Sequence, residues 1–447
     1  MPGGFSFVDR PLDGPVINVP RKADHKQKEP ERIGTSLVED KPLVKSITTC
    51  ADCPNRIGKN ISPLDATGKG KRHIMIVVDR PVKTKEGYVW FGEDNPILDV
   101  YDAFDKMRKK VPDTPPFSFK DDVIVTGVLT CPVSSPLPYE QCLAQLANKI
   151  KQYDPYVIIA VGAVATGAVL RVYHPLHFPP NYTTGHYFGR SIPLTMNGWS
   201  RWLVSVPGEA EMNDYHNVEV RAVAVGVWLK RLIANAYAVE NLYESGVKTV
   251  QPYKQPDIKM LSGTYEIIDV LRTAMEAEYI AFDYETNTLD PELEGGKILT
   301  ASIAWGNHNL EPDGTAAFYL TDSIVLSEWC KMLRSDVKKI GANIKFEERW
   351  SLVNLNTPVN NWYWDICVGA RALDCQPGTA GLKYQTFVNF GVIGYDDDVK
   401  DYIDGETHGF NMLDRIPPTK ILLYNGLDSY FTYKCAKVQH NYLGIPF

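Results

Sequence analysis

The sequence lacks any apolar run long enough to cross a membrane, and no part of it resembles a secretory signal peptide. The longest apolar runs, such as Val157–Val161, have the length of a strand, whereas a membrane-spanning helix needs about 20 apolar residues. Internal repeats and low-complexity tracts are also missing. These absences argue against an integral membrane protein and a repeat protein, and we expect a cytoplasmic protein.

An excess of positive charge is missing as well. The chain has 47 Lys and Arg residues against 54 Asp and Glu residues, a formal net charge of −7. Many nucleic-acid-binding proteins are basic, so any contact with DNA here must rest on local patches. Lys69, Lys71 and Arg72 alternate with glycines and form one such candidate patch, although a solvated loop is the commoner meaning of a basic run.

The 447 residues are enough for two domains with separate cores. Residues 1–45 are rich in Pro, Lys, Asp and Glu, which predicts a flexible N-terminal arm, mobile or draped over a partner. In residues 46–240 short apolar strands alternate with amphipathic helices, which predicts a parallel sheet with helices on both faces. Residues 241–260 are polar and predict a linker. Residues 261–447 predict a second α/β domain with a mixed sheet.

The predicted elements of both domains follow from periodicity. The predicted strands of the first domain are His73–Val78, Asp122–Leu129, Tyr156–Val161 and Trp202–Val206, and its helices are Leu98–Lys109, Tyr139–Gln152 and Ala163–Val172. The predicted strands of the second domain are Tyr279–Glu285, Ile298–Trp305 and Ala316–Leu320, the last two antiparallel.

Eight cysteines occur in a chain without a secretion signal, which makes metal or cluster binding the question and a disulfide framework unexpected. Cys50 and Cys53 form a Cys-x-x-Cys pair, and Cys131 and Cys142 form a wider second pair. Four thiolates suit either Zn²⁺ or a [4Fe–4S] cluster, and spacing alone does not separate the two. Alternatively, two of the four are buried apolar residues. The remaining cysteines, Cys330, Cys367, Cys375 and Cys435, are predicted to be ordinary buried residues.

Acidic residues in the second domain give the strongest indication of function in the sequence. Asp283 and Glu285 form an Asp-x-Glu pair at a strand end, and side chains at i and i+2 of a strand share one face. Their repulsion favours a bound divalent cation. Glu347 follows in a segment that turns from strand to helix, and Tyr424 and Asp428 lie one helical turn apart.

This set of side chains suits phosphodiester hydrolysis. The reaction needs a hydroxide nucleophile and neutralised charge on the leaving oxygen, which two Mg²⁺ or Mn²⁺ ions about 4 Å apart supply when carboxylates hold them. Each piece alone is most often a solvated turn or an ordinary helix surface. The three motifs are the pair Asp283 and Glu285, the residue Glu347, and the pair Tyr424 and Asp428. They occur in this order, each on a suitable strand or helix, which favours a functional site.

The ordered set resembles the tyrosine-bearing branch of the DEDD exonuclease superfamily, which includes the proofreading domains of DNA polymerase I-type enzymes, particularly those of phages. Trp364-Asp365-Ile366 and Gly381-Leu382-Lys383 extend the resemblance. It implies a ribonuclease H-like fold for residues 261–447 and a 3′→5′ exonuclease acting on DNA 3′ ends, with single-stranded ends expected.

The resemblance also implies roles for individual residues. Asp283 would bridge two metal ions, Glu285 and Asp428 would hold the ion that activates water, and Tyr424 would orient that water. Asn343 and Phe346 would shape the second motif. Glu347 stands where the family most often has Asp, and Asp365 could share its role. The implied catalytic and metal-binding set is Asp283, Glu285, Glu347, Tyr424 and Asp428.

In the family this domain is normally followed by a polymerase, whereas this sequence stops at Phe447. We therefore expect a separately encoded DNA polymerase as the partner. If the protein is phage-encoded, it would act in the host cytoplasm.

Residues 46–235 resemble the iron–sulfur uracil-DNA glycosylases. The resemblance rests on Cys50-x-x-Cys53, on the segment Gly87–Gly92 with Trp90, and on Val161-Gly162-x-x-Ala165, with the second cysteine pair in the family's order. It implies a glycosylase-like fold with a [4Fe–4S] cluster on Cys50, Cys53, Cys131 and Cys142, zinc being the alternative occupant.

The glycosylase chemistry carries over less well than the fold. A flipped base must be stacked and its anion stabilised, and Trp90 could stack. However, Asp79 and Arg80 replace the family's carboxylate loop, and Val206 stands where the family has the anion-stabilising His. An aliphatic group donates no hydrogen bond to an oxyanion. We expect an inactive module that contacts DNA or the polymerase, and His174 is predicted to be a loop histidine. Two alternatives stay open: a bifunctional repair enzyme with real uracil excision, and a replication scaffold.

Overall fold

The computed structural model describes residues 63–71, 73–92, 119–132, 139–179, 182, 184–196, 199–208, 211, 253–374, 376–403 and 409–447. All of them belong to one compact unit, Ser46–Phe447. Several sequence predictions fall outside the described residues: the arm 1–45, the helix Leu98–Lys109, most of the linker, Arg72, and the cysteines Cys50, Cys53 and Cys375.

The first sheet has five strands in the order β4-β1-β5-β7-β6. Their bounds are β1 Ile74–Val78, β4 Val123–Gly127, β5 Val157–Val161, β6 Ser191–Met196 and β7 Trp199–Val206, and a separate hairpin pairs β2 Val82–Thr84 with β3 Gly87–Val89. Four of the strands run parallel, whereas β6 runs antiparallel to β7. The four strands that the sequence predicts are parallel, as predicted, and β6 adds an antiparallel edge strand that was not predicted. Only residues 197 and 198 separate β6 from β7, and so short a connection favours an antiparallel pair.

Both faces of this sheet are covered. Every residue of β1 and of β4 is buried, and alternate residues enter different cores: Met75 and Val77 one cluster, Ile74 and Ile76 another. Strands buried on both faces become continuously apolar, as these two are. The associated helices are α1 Phe119–Asp122, α2 Tyr139–Tyr153 and α3 Ala163–Tyr173. The last two end within one residue of the predicted bounds.

The second sheet has six strands in the order β13-β12-β9-β10-β11-β8. Their bounds are β8 Lys259–Leu261, β9 Tyr279–Thr286, β10 Ile298–Gly306, β11 Gly314–Tyr319, β12 Lys338–Gly341 and β13 Trp362–Asp365. The pairs β9–β10 and β10–β11 are antiparallel, as predicted. Strand β8 pairs in parallel with β11, and β12 pairs in parallel with both β9 and β13. The sheet is therefore mixed, as predicted.

Helices follow and flank the second sheet. Their bounds are α4 Thr264–Met275, α5 Ser323–Arg334, α6 Ile344–Leu355, α7 Ile366–Leu373, α8 Leu382–Phe390, α9 Asp397–Ile403 and α10 Pro418–Leu443, with a short 3₁₀ turn at Leu413–Arg415. Helix α10 has 26 residues, begins with Pro418 at a position where a missing N–H costs nothing, and ends at Gly444 in the left-handed conformation. It packs on β9 and β10, and most of its residues are buried.

Helix α8 contributes to the cores of both sheets. Phe387 and Val388 belong to the core cluster that includes Met75 and Val77 of the first sheet. Leu382 and Phe390, on the same helix, pack against the cluster that includes Phe431 of α10. A nine-residue helix therefore links the two hydrophobic cores directly.

Among the described helices, none combines the length and the apolar character that crossing a membrane requires.

Candidate active site

Three carboxylates from two elements converge beside the second sheet. Asp283 and Glu285 project from β9, Asp428 projects from α10, and one ligand oxygen of each lies within 4.8 Å of the others. Glu285 and Asp428 are buried, and Asp283 is half-buried. Within the described residues this is the only group of three or more acidic, His or Cys side chains close enough to hold a metal ion.

Strand alternation separates these carboxylates from the core. Phe282 and Tyr284 enter the core cluster of the second sheet, so Asp283 and Glu285 point to the opposite face. Asn425 of α10 then fixes the helix against this face. Its Nδ2 donates to Asp283 Oδ2 at 2.8 Å. Its side-chain and backbone oxygens accept hydrogen bonds from Thr300 and Ser302 of β10, at 3.0 and 2.7 Å.

Glu347 lies in the first turn of α6 and is only 2% exposed. In the described part of the chain its Oε2 is buried and has no hydrogen-bond partner. Burial raises the pKa of Glu347 well above its usual range, and the nearby charge of Asp283 raises it further. A buried carboxylate oxygen that accepts no hydrogen bond is stabilised when it binds a cation or a proton.

Asp428 is held by two donors that use the same oxygen. Lys383 Nζ donates to Oδ1 at 2.5 Å, and the Tyr395 hydroxyl donates to Oδ1 at 2.6 Å. Neither of these two bonds uses Oδ2. The Lys383 ammonium also lies 3.9 Å from the ring centroid of Tyr395 and 4.3 Å from that of Tyr424.

The charges in the site do not balance. Burial raises the pKa of Asp283 and of Glu285 well above the ordinary range, and repulsion from neighbouring carboxylates adds to both shifts. Lys383 is the cation that counters them. Burial likewise raises the pKa of Tyr424, with the charge of Asp428 adding to it. A set of hard oxygen donors with an orphaned Glu347 oxygen fits Mg²⁺ or Mn²⁺, which prefer such ligands.

Asp365 accepts hydrogen bonds from the starts of two helices. Its side chain accepts hydrogen bonds from the backbone N–H groups of Asn343 and Ile344 at the start of α6, at 3.2 and 3.1 Å. It also accepts from Cys367 and Val368 at the start of α7. Asp365 therefore caps two helices, and a shared role with Glu347 stays a prediction.

The second motif has the predicted strand-to-helix form. Asn343 adopts the left-handed conformation, with φ 69°, between β12 and α6. Phe346 is half-buried against the core and near Trp350. These two residues thus set the direction in which α6 leaves the sheet, and α6 carries Glu347.

The sequence analysis missed two residues of the site. Tyr395 lies in the segment between α8 and α9, where no periodic pattern marks it, and Asn425 stands between Tyr424 and Asp428 without a motif of its own. Lys383 was noted only as part of a resemblance. Their contacts with Asp428 and Asp283 join positions 33 to 142 residues apart in the chain, which local patterns cannot reveal.

The first sheet has a second group of polar residues at the carboxyl ends of its parallel strands. Asp79 Oδ1 accepts from Ala165 N at 2.9 Å, and Glu211 accepts from Ala163 N and from Gly208 N. Burial raises the pKa of Asp79 to about 6. These carboxylates are bonded to the start of α3 and to the turn after β7.

Val206 and Trp90, at the positions where the resemblance places glycosylase chemistry, are both buried beside the first sheet. Val206 is fully buried, and Trp90 is 4% exposed and donates to the Asp65 carbonyl at 3.1 Å. His174 ends α3, and burial lowers its pKa to about 4. Cys131 is buried and Cys142 half-buried. Since Cys50 and Cys53 lie outside the described residues, the four-thiolate site stays a prediction.

Comparisons with known proteins give structural similarity only. No protein-family model and no curated protein matches the chain. The catalytic core of RRP6 from Trypanosoma brucei is 14% identical, with a TM-score of 0.33, over 44% of this chain and 50% of that one. Escherichia coli RNase D, an exoribonuclease involved in structured RNA processing, is 14% identical, with a TM-score of 0.31, over 42% and 46%.

A third similar structure is Brucella melitensis NrnC with bound Mg²⁺. It is 12% identical, with a TM-score of 0.30, over 42% of this chain and 80% of that one. Because these TM-scores are low, the similarities support no statement about the function of this chain.

Proposed function

We propose that this protein is a 3′→5′ exonuclease that hydrolyses terminal phosphodiesters with two divalent metal ions. The observation that carries the proposal is the convergence of Asp283, Glu285 and Asp428 within 4.8 Å, with the partnerless Glu347 Oε2 on a neighbouring helix. Divalent ions bound there would lower the pKa of a coordinated water and neutralise the leaving oxygen.

The chain's own residues have separable parts in this reaction. Asp283, Glu285, Glu347 and Asp428 would hold the ions. Tyr424, one helical turn before Asp428, would orient the attacking water. Asn425 holds Asp283, and Lys383 limits the negative charge that an incoming phosphate meets.

The substrate we propose is DNA with a single-stranded 3′ end, because the sequence motifs resemble proofreading domains. The partner we propose on the same ground is a separately encoded DNA polymerase, in a phage replication system within the host cytoplasm. Uracil excision is not favoured, since Val206 and Trp90 are buried in the core. The first sheet's module would contact DNA or the polymerase and hold a [4Fe–4S] cluster, with zinc as the other occupant.

Degradation of a 5′-labelled oligonucleotide tests the activity. With Mg²⁺, a ladder shortened from the 3′ end is expected, and EDTA should abolish it. DNA and RNA strands of the same sequence are assayed side by side, because similar structures include an exoribonuclease. A preference for RNA would overturn the DNA assignment, and no degradation of either strand would overturn the nuclease.

The matched variants are Asp283→Asn and Asp398→Asn. Asp398→Asn is the control, because it also changes an acid to an amide, but on an exposed side chain that pairs with Lys420. Loss of degradation is expected in the first variant and full activity in the second. For the cluster, absorption spectra with iron, sulfide and zinc assays on anaerobically purified protein distinguish the two occupants.

A further inference from the structure

A segment between α8 and α9 joins the candidate active site to the first sheet. Tyr395 in this segment donates to Asp428 Oδ1, and Lys383 at the start of α8 donates to the same oxygen. Two donors on one carboxylate oxygen fix the rotation of that carboxylate. The oxygen that remains for a metal ion therefore has a set position only while both donors are in place.

The first sheet determines where α8 lies. Tyr384, next to Lys383, stacks on Tyr187 with ring centroids 5.6 Å apart and an interplanar angle of 6°. Its hydroxyl donates to the His186 carbonyl at 2.9 Å. Phe387 and Val388, one turn further on, lie in the first sheet's core. Helix α8 thus presents Lys383 to the site while Tyr384, Phe387 and Val388 pack against the first sheet's part of the chain.

The segment after α8 comes close to the first sheet's part of the chain at two glycines. Gly391, with φ +70°, lies where a Cβ would overlap the carbonyl oxygen of Pro193 in β6. Gly394, with φ +75°, lies where a Cβ would overlap Nε2 of His177. His177 Nε2 is also 2.9 Å from Asp397 Oδ2. Tyr395 is therefore flanked by contacts with the first sheet's part of the chain.

We propose that Lys383 and Tyr395 are positioning residues for the metal ligand Asp428. Contacts with His177, Tyr187 and Pro193 of the first sheet's part of the chain set their placement. This inference rests on the proposed function. It gives the first sheet's part of the chain a role in the nuclease site itself, through contacts between residues more than 190 positions apart. The N-terminal part of the chain would then be required for metal binding whether or not it retains glycosylase chemistry.

Binding of Mn²⁺ alone to the full chain, measured by electron paramagnetic resonance, tests this proposal without relying on activity. Tyr395→Phe keeps the ring and removes the donor, and should weaken Mn²⁺ binding about tenfold, the usual effect of losing a hydrogen bond to a charged group. Gly394→Ala should weaken it similarly by displacing the segment. The control is Gly444→Ala, which has the same left-handed strain, φ +66°, with no atom within 4 Å of the added Cβ.

A double-mutant cycle separates positioning from general damage. If Gly394 acts through Tyr395, Gly394→Ala should add little to Tyr395→Phe, whereas independent effects would multiply and would overturn the proposal. His177→Ala removes a contact without adding a clash and should weaken binding about threefold, in the range of an exposed ion pair. If Gly394→Ala fails to fold, His177→Ala takes its place in the double-mutant cycle with Tyr395→Phe.

The outcomes distinguish this inference from the proposed function. Wild-type protein that binds Mn²⁺ and degrades DNA, together with an unchanged Mn²⁺ affinity in Tyr395→Phe, overturns the positioning role alone. Wild-type protein that binds no Mn²⁺ overturns both proposals.

Discussion

At Asp283, Glu285 and Glu347, burial and mutual repulsion act in the same direction. Each raises the carboxyl pKa, so the metal-free protein holds these groups at a cost in stability. Lys383 offsets part of that cost through Asp428. Such strain is expected where a site is shaped for a ligand that supplies the missing charge.

The first prediction concerns Asp283→Asn. The amide removes one buried charge, so the variant should be more stable than wild type in EDTA, and about 1 kcal/mol of relief corresponds to about 2–4 °C in Tm for a domain of this size. Its nuclease activity should fall by about 100-fold or more, because losing even an outer partner of a metal ligand costs about 10–100-fold. Differential scanning fluorimetry and the 5′-label assay measure the two effects, and a lower Tm in EDTA would contradict the prediction.

The second prediction concerns pH. A carboxyl whose folded pKa lies above its unfolded value, 3.8 for Asp and 4.5 for Glu, binds protons more tightly in the folded state. Its contribution to stability is therefore fully present below the unfolded pKa and is lost as pH rises through the folded pKa. Mg²⁺ competes with these protons, so the Tm increase that it causes should grow between about pH 5 and about pH 8.

Melting curves at several pH values with Mg²⁺ or EDTA test this linkage. The double variant Asp283→Asn with Glu285→Gln serves as the control, because it should lose most of the Mg²⁺ effect at every pH. A Mg²⁺-induced shift in wild type that does not change with pH would rule the linkage out.

At the scale of elements, the strands and helices that carry the acidic motifs could be predicted from the sequence. Strand β9 was predicted as Tyr279–Glu285 and ends one residue later, at Thr286. For α10 the prediction was that Tyr424 and Asp428 lie one helical turn apart, and both do lie on this helix. The edge strand β6 could not be predicted in the same way, since its direction depends on pairing with β7. Tyr395 was also beyond prediction, because its role depends on packing between segments distant in sequence.

The third prediction concerns the two helix starts that Asp365 caps. Asp365→Ala should destabilise the protein by about 2 kcal/mol, the upper end for a single N-cap, and should weaken Mn²⁺ binding by displacing α6 with Glu347. Asp322→Ala is the matched control, because Asp322 caps α5 through Ile324 N at 2.8 Å. The control should lose about 1 kcal/mol with unchanged Mn²⁺ affinity. Equal Mn²⁺ affinities in the two variants would argue against a link between the cap and the site.

At the scale of the whole molecule, the two sheets share hydrophobic packing through α8. The sequence predicted the two sheets but not this packing, because the apolar residues of α8 carry no sign of which sheet they contact. Phe387 packs near Phe178 and Tyr187, with ring centroids 6.0 and 5.5 Å apart, and is 3% exposed. Unfolding of either sheet would expose it.

The fourth prediction is that Phe387→Ala destabilises both sheets together. Truncating a buried Phe costs about 3–5 kcal/mol, and the heat-absorption peak of the described unit should move to lower temperature as one transition. Leu352→Ala, at an exposed position with 46% accessibility, should change stability by less than about 0.5 kcal/mol. Two separated peaks in calorimetry, with only one of them shifted, would show that the sheets unfold independently.

The packing of α8 against both cores has a practical consequence for any attempt to express the second sheet's part of the chain alone. The polar stretch 241–260 is the obvious place to cut the gene, yet a fragment that begins there would leave Phe387 and Val388 bare to water. It would also release the segment that holds Tyr395 against Asp428. A fragment that also includes β6, β7 and the rest of the first sheet would keep these contacts of α8.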